Sequence, residues 1–188
     1  MAAIAVIAIV IWQAMQTRRT RELQGRFGPE YDRAVESSES KRSAESELVA
    51  RADHRDELEI TPLPPGARER YAADWERVQA RFVDDPEGAV READVLIVAV
   101  MSDRGYPTDD FDQREADISV DHPRVVENYR EGNRLARASV LGDATTEDLR
   151  QAMQHYRALF DGLLEEASDA PVSRDTADER GRQAAPRS

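Results

Sequence analysis

A dense group of acidic residues in the second half of the sequence is the first place to look for a metal site or a catalytic carboxylate. The group comprises Asp103, Asp109, Asp110, Asp112, Glu115, Asp117 and Asp121. Carboxylates gathered in this way can bind Ca²⁺ or Mg²⁺. The spacing does not fit an EF-hand loop, because residues 109–121 contain no glycine and no glutamate at the position of the bidentate ligand. Since Arg104 and Arg114 can pair with these acids, we favour a solvated or salt-bridged loop.

Ser119, Asp121 and His122 are the residue types of a hydrolase triad, and they lie within four positions of each other. Triad members must meet in a fixed mutual geometry, which neighbours in a chain rarely reach. An aspartate or serine shortly before a helix that begins with proline is typical of an N-cap. We therefore predict that this segment caps a helix starting at Pro123.

An enzyme that uses the acidic loop of residues 103–122 remains the alternative interpretation, either metal-dependent or hydrolytic. Its candidate residues are Asp110, Asp112, Asp117, Asp121 and His122. The sequence contains no glycine-rich phosphate loop, nucleophile elbow or dinucleotide fingerprint. It has no cysteine, which excludes thiolate nucleophiles, disulfides and cysteine-ligated metal sites. We predict no cofactor, and we favour a non-catalytic protein.

The same loop carries residues that are typical of protein interfaces. Arg104, Tyr106, Phe111 and Arg114 combine aromatic rings with guanidinium groups, the residue types that contribute most to binding energy at interfaces. We therefore predict that these four residues contact a protein partner. The competing interpretation is that both rings attach the loop to the helices of the protein.

The composition is that of one acidic domain. A chain of 188 residues suits a single domain with a core of its own. The net charge of −12 argues against nucleic acid as a partner, because such binding needs a basic surface that neutralises phosphates. Lys41 is the only lysine beside 25 arginines, a bias that is typical of GC-rich bacterial genomes.

The N-terminus has the features of a membrane anchor. Residues 2–12 form an unbroken apolar run, and Arg18, Arg19 and Arg21 follow it. A helix of fifteen residues covers roughly two-thirds of the hydrocarbon core of a bilayer. A cleaved signal peptide is not predicted, because the run has no basic segment before it and no small-residue cleavage site after it.

We therefore predict an anchor over residues 1–16 and lipid contact through residues 1–26. A short spanning helix, an interfacial helix, a start codon assigned several residues too late and a buried core helix are the possible forms of this segment. Since the basic residues follow the apolar run, the positive-inside rule predicts a single-pass protein of the cell membrane with its main domain in the cytoplasm.

The remaining sequence predicts an all-α fold: a small helical bundle preceded by the membrane-anchor helix and a charged stalk helix. The collar and stalk cover residues 17–60, a proline-rich linker covers 61–66, the bundle covers 65–165, and a disordered tail covers 168–188. Four apolar stripes with helical spacing indicate the bundle. Its predicted core is Tyr71, Trp75, Phe82, Leu96, Ile97, Val100, Tyr129, Met153, Tyr156 and Phe160.

Several stretches resemble an uncharacterised family of bacterial proteins that are anchored to the membrane by their N-terminus. They lie at residues 26–33 (RFGPEYDR), 104–107 (RGYP), 110–130 (ending in DHPRVVENYR) and 145–157 (TTEDLRQAMQHYR). The resemblance implies an apolar N-terminal segment, a basic collar and a charged helical region, and it implies no biochemical activity. The anchor is shorter here than in the family. Residues 131–133 are polar and flexible, which argues against a tight contact by their helix.

Together these patterns predict a membrane-tethered helical interaction or scaffold protein without catalytic activity.

Overall fold

The structure is a computed structural model that describes the backbone of residues 2–165 and the side chains of residues 13–165. The predicted tail over residues 168–188 lies outside the described residues. The described chain forms eight helices and contains no strand, which confirms the all-α prediction. The helices are α1 (Ala2–Phe27), α2 (Pro29–Ser37), α3 (Lys41–Glu57), α4 (Ala67–Arg81), α5 (Pro86–Arg104), α6 (Phe111–Asp121), α7 (Val126–Val140) and α8 (Thr146–Glu165).

Local signals in the sequence set several helix ends. Asp85 caps α5, because its carboxylate accepts a hydrogen bond from the backbone N–H of Gly88 at 2.9 Å. Gly105 ends the same helix in the left-handed region, with φ of 97°. Before α8, the Asp148 carboxylate accepts from the backbone N–H of Thr145 at 2.8 Å, and the Thr145 hydroxyl accepts from the Asp148 N–H at 3.2 Å. This is the reciprocal pattern of a capping box.

Helices α4, α5, α7 and α8 form a bundle around the larger of two hydrophobic clusters. The rings of Trp75 and Phe160 stack at its centre, with centroids 4.7 Å apart. Nine of the ten predicted core residues are buried, and Phe82 is partly buried against the same cluster. The helical spacing of the apolar stripes therefore predicted the bundle and its core correctly.

The contact between α7 and α8 is closer than the polar sequence around residue 132 suggests. Gly132 is buried against the ring of Tyr156, and a Cβ atom at this position would lie 2.6 Å from Tyr156 Cδ1. The missing side chain is what allows the two helices to approach. The expectation that residues 131–133 would prevent a tight contact is therefore wrong. It rested on the flexibility of glycine, whereas the small size of glycine decides how closely the two helices approach.

Replacing Gly132 by alanine should destabilise the protein, although alanine is the better helix former by about 1 kcal/mol. The clash with the buried Tyr156 ring should outweigh that gain, because overpacking a core costs typically about 1–3 kcal/mol. We expect a net loss of up to about 2 kcal/mol in the free energy of unfolding, measured by urea denaturation. Gly25→Ala is the matched control. Gly25 also lies within a helix, α1, but an added Cβ there would meet no atom within 4 Å, so the substitution should raise the free energy of unfolding. A stabilising effect of both substitutions would contradict the packing explanation.

Helices α1, α2 and α3 form a second hydrophobic cluster, which differs from the collar and charged stalk helix that were expected over residues 17–60. Phe27, Ala44 and Leu48 are fully buried there, and Tyr31 is nearly so. The apolar residues are few, but they lie on facing sides of the three helices and so bury one another. Val120 of α6 completes the cluster, so α6 lies between the two hydrophobic clusters with Ile118 in the other one.

Helices α1 and α3 run parallel to each other. The Thr20 hydroxyl donates to the Glu45 carboxylate at 2.7 Å, and Arg26 pairs with Asp56 at 2.6 Å, so the contacts advance in the same direction along both helices. Within the part of the chain that the structure describes, no helix combines the length and the apolar content that crossing a membrane requires.

Candidate functional site

Two of the four predicted partner-binding residues, Arg104 and Tyr106, lie in the interior. Arg104 donates a hydrogen bond from Nη1 to the backbone carbonyl of Leu163 at 3.1 Å, which joins the end of α5 to the end of α8. The Tyr106 ring is 3% exposed, and its hydroxyl donates to the Asp121 carboxylate. Both side chains hold the segment after α5 against the rest of the protein.

The other two, Phe111 and Arg114, are partly exposed at the start of α6. The Phe111 ring lies on Tyr129 of α7, with centroids 4.9 Å apart. Arg114 donates from Nε to the Tyr129 hydroxyl at 2.9 Å and from Nη1 to the carbonyl of Thr108. These contacts favour the interpretation in which the rings attach the loop to the helices. The partner-binding role of all four residues stays a prediction.

The acidic residues of the enzymatic alternative are spread over different surroundings. Asp110 caps α6 by accepting from the Gln113 N–H at 3.1 Å, and Asp112 is exposed. Asp117 is fully buried, and burial raises the pKa of its carboxyl. Among residues 13–165, no group of three or more His, Asp or Glu side chains has positions suited to a metal ion.

Ser119 and Asp121 do not cap a following helix, so that prediction is wrong. Asp121 is the last residue of α6, and α7 begins only at Val126, without a side-chain cap. The carboxylate of Asp121 accepts instead from Arg55 Nε at 2.7 Å and from the Tyr106 hydroxyl. These charge-assisted contacts with distant residues replace the local capping bond.

The triad-like residues are also engaged separately. The Ser119 hydroxyl donates to the backbone carbonyl of Ala116 at 2.6 Å and accepts from Arg51 at 3.3 Å. His122 is 6% exposed, at the turn between α6 and α7. Burial and the nearby charge of Arg104 lower the pKa of the His122 imidazole to about 4. The imidazole is therefore neutral at pH 7.

The pKa of His122 predicts a specific loss of stability in acid. Because the folded-state pKa of about 4 lies below the ordinary value of 6.5, the unfolded chain binds this proton more tightly. The penalty begins as the pH falls below 6.5 and reaches about 3 kcal/mol near pH 4. Between pH 7 and 4, wild type should therefore lose about 3 kcal/mol more stability than His122→Gln, in denaturant titrations at each pH. His155→Gln serves as the control, and an equal loss in wild type and His122→Gln would contradict the prediction.

A layer of buried and half-buried ion pairs joins the two hydrophobic clusters. We call this group the ionic layer; its members are Glu30, Arg51, Arg55, Glu115, Asp121 and Arg130. Glu30 of α2 is 2% exposed and accepts two hydrogen bonds from Arg130 of α7, at 2.6 and 2.8 Å. Arg51 of α3 donates to the same carboxylate at 3.1 Å. One buried carboxylate thus joins three helices.

Arg55 and Arg130 of the ionic layer keep their charges in spite of burial. Burial alone would lower the pKa of Arg130, but hydrogen bonds to Glu30 and Glu115 outweigh it and raise the pKa. At the other end of the layer, Arg55 of α3 pairs with Asp121 of α6, which also accepts from Tyr106. The sequence does not indicate this group, because Glu30 and Arg130 are 100 residues apart in the chain and no regular spacing links them.

The bundle also exposes apolar side chains on one face. Val95 of α5 and Val140 of α7 line a groove of about 330 Å³ and are 66% and 74% exposed. Leu141, the next residue after α7, is equally exposed. Neighbouring apolar side chains of this kind are a feature of surfaces that meet another molecule.

Comparison with protein-family models, with curated proteins and with solved structures found no match.

Proposed function

We propose that this protein is a membrane-tethered helical interaction protein without catalytic activity, attached by the apolar start of α1. The observation that carries the proposal is the continuity of α1. One uninterrupted helix leads from the apolar residues 2–12 to Leu23 and Phe27, which are buried in the second cluster. Residues 13–19 between them are exposed.

The length of α1 supports attachment at the bilayer surface. Among the side chains described from residue 13 onward, Thr20 is the first that another helix partly covers, and from residue 2 to Thr20 the helix rises by about 27 Å. The apolar residues are therefore held well away from the body of the protein. Eleven apolar residues suit insertion into the interfacial region, where burial of apolar area provides the binding energy. The anionic lipids of the cytoplasmic leaflet attract Arg18, Arg19 and Arg21 next to the apolar run, so the acidic body lies on the cytoplasmic side.

A role in interaction is favoured over catalysis by the contacts of the candidate catalytic groups. Asp121 is bound by Arg55 and Tyr106, and Ser119 is bound by Arg51, so neither is placed to react with a substrate. The exposed side chains of Val95, Val140 and Leu141 offer the bundle a face for a partner. The protein would hold that face at a fixed distance from the membrane.

Flotation of the full-length protein with lipid vesicles tests the tether. Wild type should rise with the vesicles, whereas Ile7→Asp combined with Ile11→Asp should lower the partition coefficient by more than about 100-fold, because two isoleucines leave the bilayer. Val140→Asp combined with Leu141→Asp makes the same chemical change on the bundle and should leave flotation unaltered. If wild type stays at the bottom of the gradient, or if the Ile7 and Ile11 variant floats as well as wild type, the proposal fails.

A further inference from the structure

We infer that the first turn of α3 forms, with the arginines of α1, a second contact surface for the membrane, and that this surface selects anionic phospholipids. The inference rests on the proposed tether and adds to it the lipid class and the orientation of the body. It starts from the parallel arrangement of α1 and α3, which brings two distant segments of the chain to the same end of the molecule.

The register of the two helices places the start of α3 beside the exposed part of α1. Glu45 lies next to Thr20, at 2.7 Å between hydroxyl and carboxylate. Lys41 precedes Glu45 by one helical turn, so it lies about 6 Å closer to the apolar end of α1. Its ammonium group is 3.8 Å from the Glu45 carboxylate, and its side chain is 57% exposed. Arg42 follows it and is exposed as well.

Glu45 holds this arrangement in place. It is 8% exposed and accepts hydrogen bonds from Thr20 of α1 and from Tyr31 of α2. Burial alone would raise the pKa of Glu45, but these two hydrogen bonds, with Lys41 and Arg19 nearby, lower it instead. The ionised carboxylate therefore fixes the first turn of α3 against α1 on the side from which the apolar segment emerges.

The charge of this end differs from that of the rest of the protein. Exposed basic residues there are Arg18, Arg19, Arg21, Lys41 and Arg42, and exposed acidic residues are Glu22, Glu36 and Glu39. Residues 1–45 contain seven basic and six acidic residues, whereas residues 46–188 contain 19 basic and 32 acidic ones. An anionic bilayer attracts the first group and repels the acidic body. The acidic body is thereby kept away from the lipid surface.

A bilayer, rather than a soluble polyanion, is the partner that fits this surface, because the apolar residues 2–12 continue directly from it. The long side chains of Lys41 and the arginines can place their apolar stems against lipid while their charges reach the headgroups. Each basic residue near an anionic surface raises binding roughly 5-fold. Two additional basic residues in α3 therefore make a measurable contribution.

The test compares the full-length wild type with Lys41→Gln combined with Arg42→Gln. Vesicles consist either of phosphatidylcholine alone or of two parts phosphatidylcholine to one part phosphatidylglycerol. On anionic vesicles the variant should bind roughly 30-fold more weakly than wild type, and on phosphatidylcholine it should bind equally. Arg70→Gln combined with Arg77→Gln removes the same charge from exposed positions of α4 and should bind both vesicles like wild type.

The outcomes separate this inference from the proposed tether. If wild type and the Lys41 and Arg42 variant bind anionic vesicles equally, the lipid selectivity of α3 is refuted while the tether stands. If wild type binds neither kind of vesicle, both are refuted. Lys41→Arg combined with Arg42→Lys keeps the charges and should keep the binding. Loss of binding in this variant, with an unchanged thermal midpoint, would also overturn the inference.

Discussion

Replacing Glu30 by alanine is expected to lower the free energy of unfolding by about 3–5 kcal/mol. The carboxylate is 2% exposed and accepts hydrogen bonds from Arg130 and Arg51, whose side chains are only 10% and 18% exposed. Removing it leaves two guanidinium groups in the interior without their common partner. Arg130 keeps Glu115 and Glu127, and Arg51 keeps Glu47, but these carboxylates are more exposed than Glu30. Loss of the buried partner therefore still costs more than the net contribution of the pair itself.

Glu131→Ala is the matched control for this prediction. Glu131 also pairs with an arginine, Arg134, but both side chains are far more exposed than Glu30. A pair of this kind should contribute about 0–1 kcal/mol. Chemical denaturation followed by circular dichroism measures both variants. If Glu30→Ala loses no more stability than Glu131→Ala, the ionic layer does not join the two clusters in the way that its geometry indicates.

Replacing Trp75 by alanine should lower the free energy of unfolding by a similar amount, about 3–5 kcal/mol. The side chain is 1% exposed and stacks on Phe160 at 4.7 Å between centroids. Its removal loses the transfer free energy of the largest side chain and leaves a cavity that the surrounding helices can fill only in part. The guanidinium of Arg157, 5.8 Å from the ring centroid, loses its aromatic neighbour as well.

Two further variants test whether burial causes the effect of Trp75→Ala. Val83→Ala changes a side chain that is 83% exposed and should alter stability by less than about 0.5 kcal/mol. Trp75→Phe keeps an aromatic ring and removes an indole N–H that has no hydrogen-bond acceptor among the described residues. It should therefore cost clearly less than the alanine substitution. Equal losses for Trp75→Phe and Trp75→Ala would show that the stacked ring is not what stabilises the core.

The features that the sequence predicted correctly depend on neighbouring residues. The stripe of Tyr71, Trp75 and Val78 repeats at helical spacing, so the periodicity alone identifies a helix and its buried face. The caps at Thr145 and Gly105 are local as well, because a cap is completed within one turn. The helical spacing identified the bundle and most of its core.

The features that the sequence did not reveal depend on residues far apart in the chain. Asp121 had the position of an N-cap, but Arg55 and Tyr106 bind its carboxylate and α6 extends to include it. Nothing in the sequence distinguishes Glu30 from the other acidic residues, because its partner Arg130 lies 100 residues away in the chain. The few apolar residues of α3 became a core only with Phe27 and Tyr31 from other helices. Long-range pairing of this kind has no periodicity that a single sequence could show.

The division into two hydrophobic clusters also implies that backbone amides exchange with solvent in two groups. Opening α2 and α3 away from the bundle breaks the ionic layer but exposes little of the larger cluster, so it costs less free energy than global unfolding. Amides in the middle of α5 and α8 lie in the larger cluster and should exchange only when the whole protein unfolds. We therefore expect two cooperative units, of which the one that carries the apolar helix opens first.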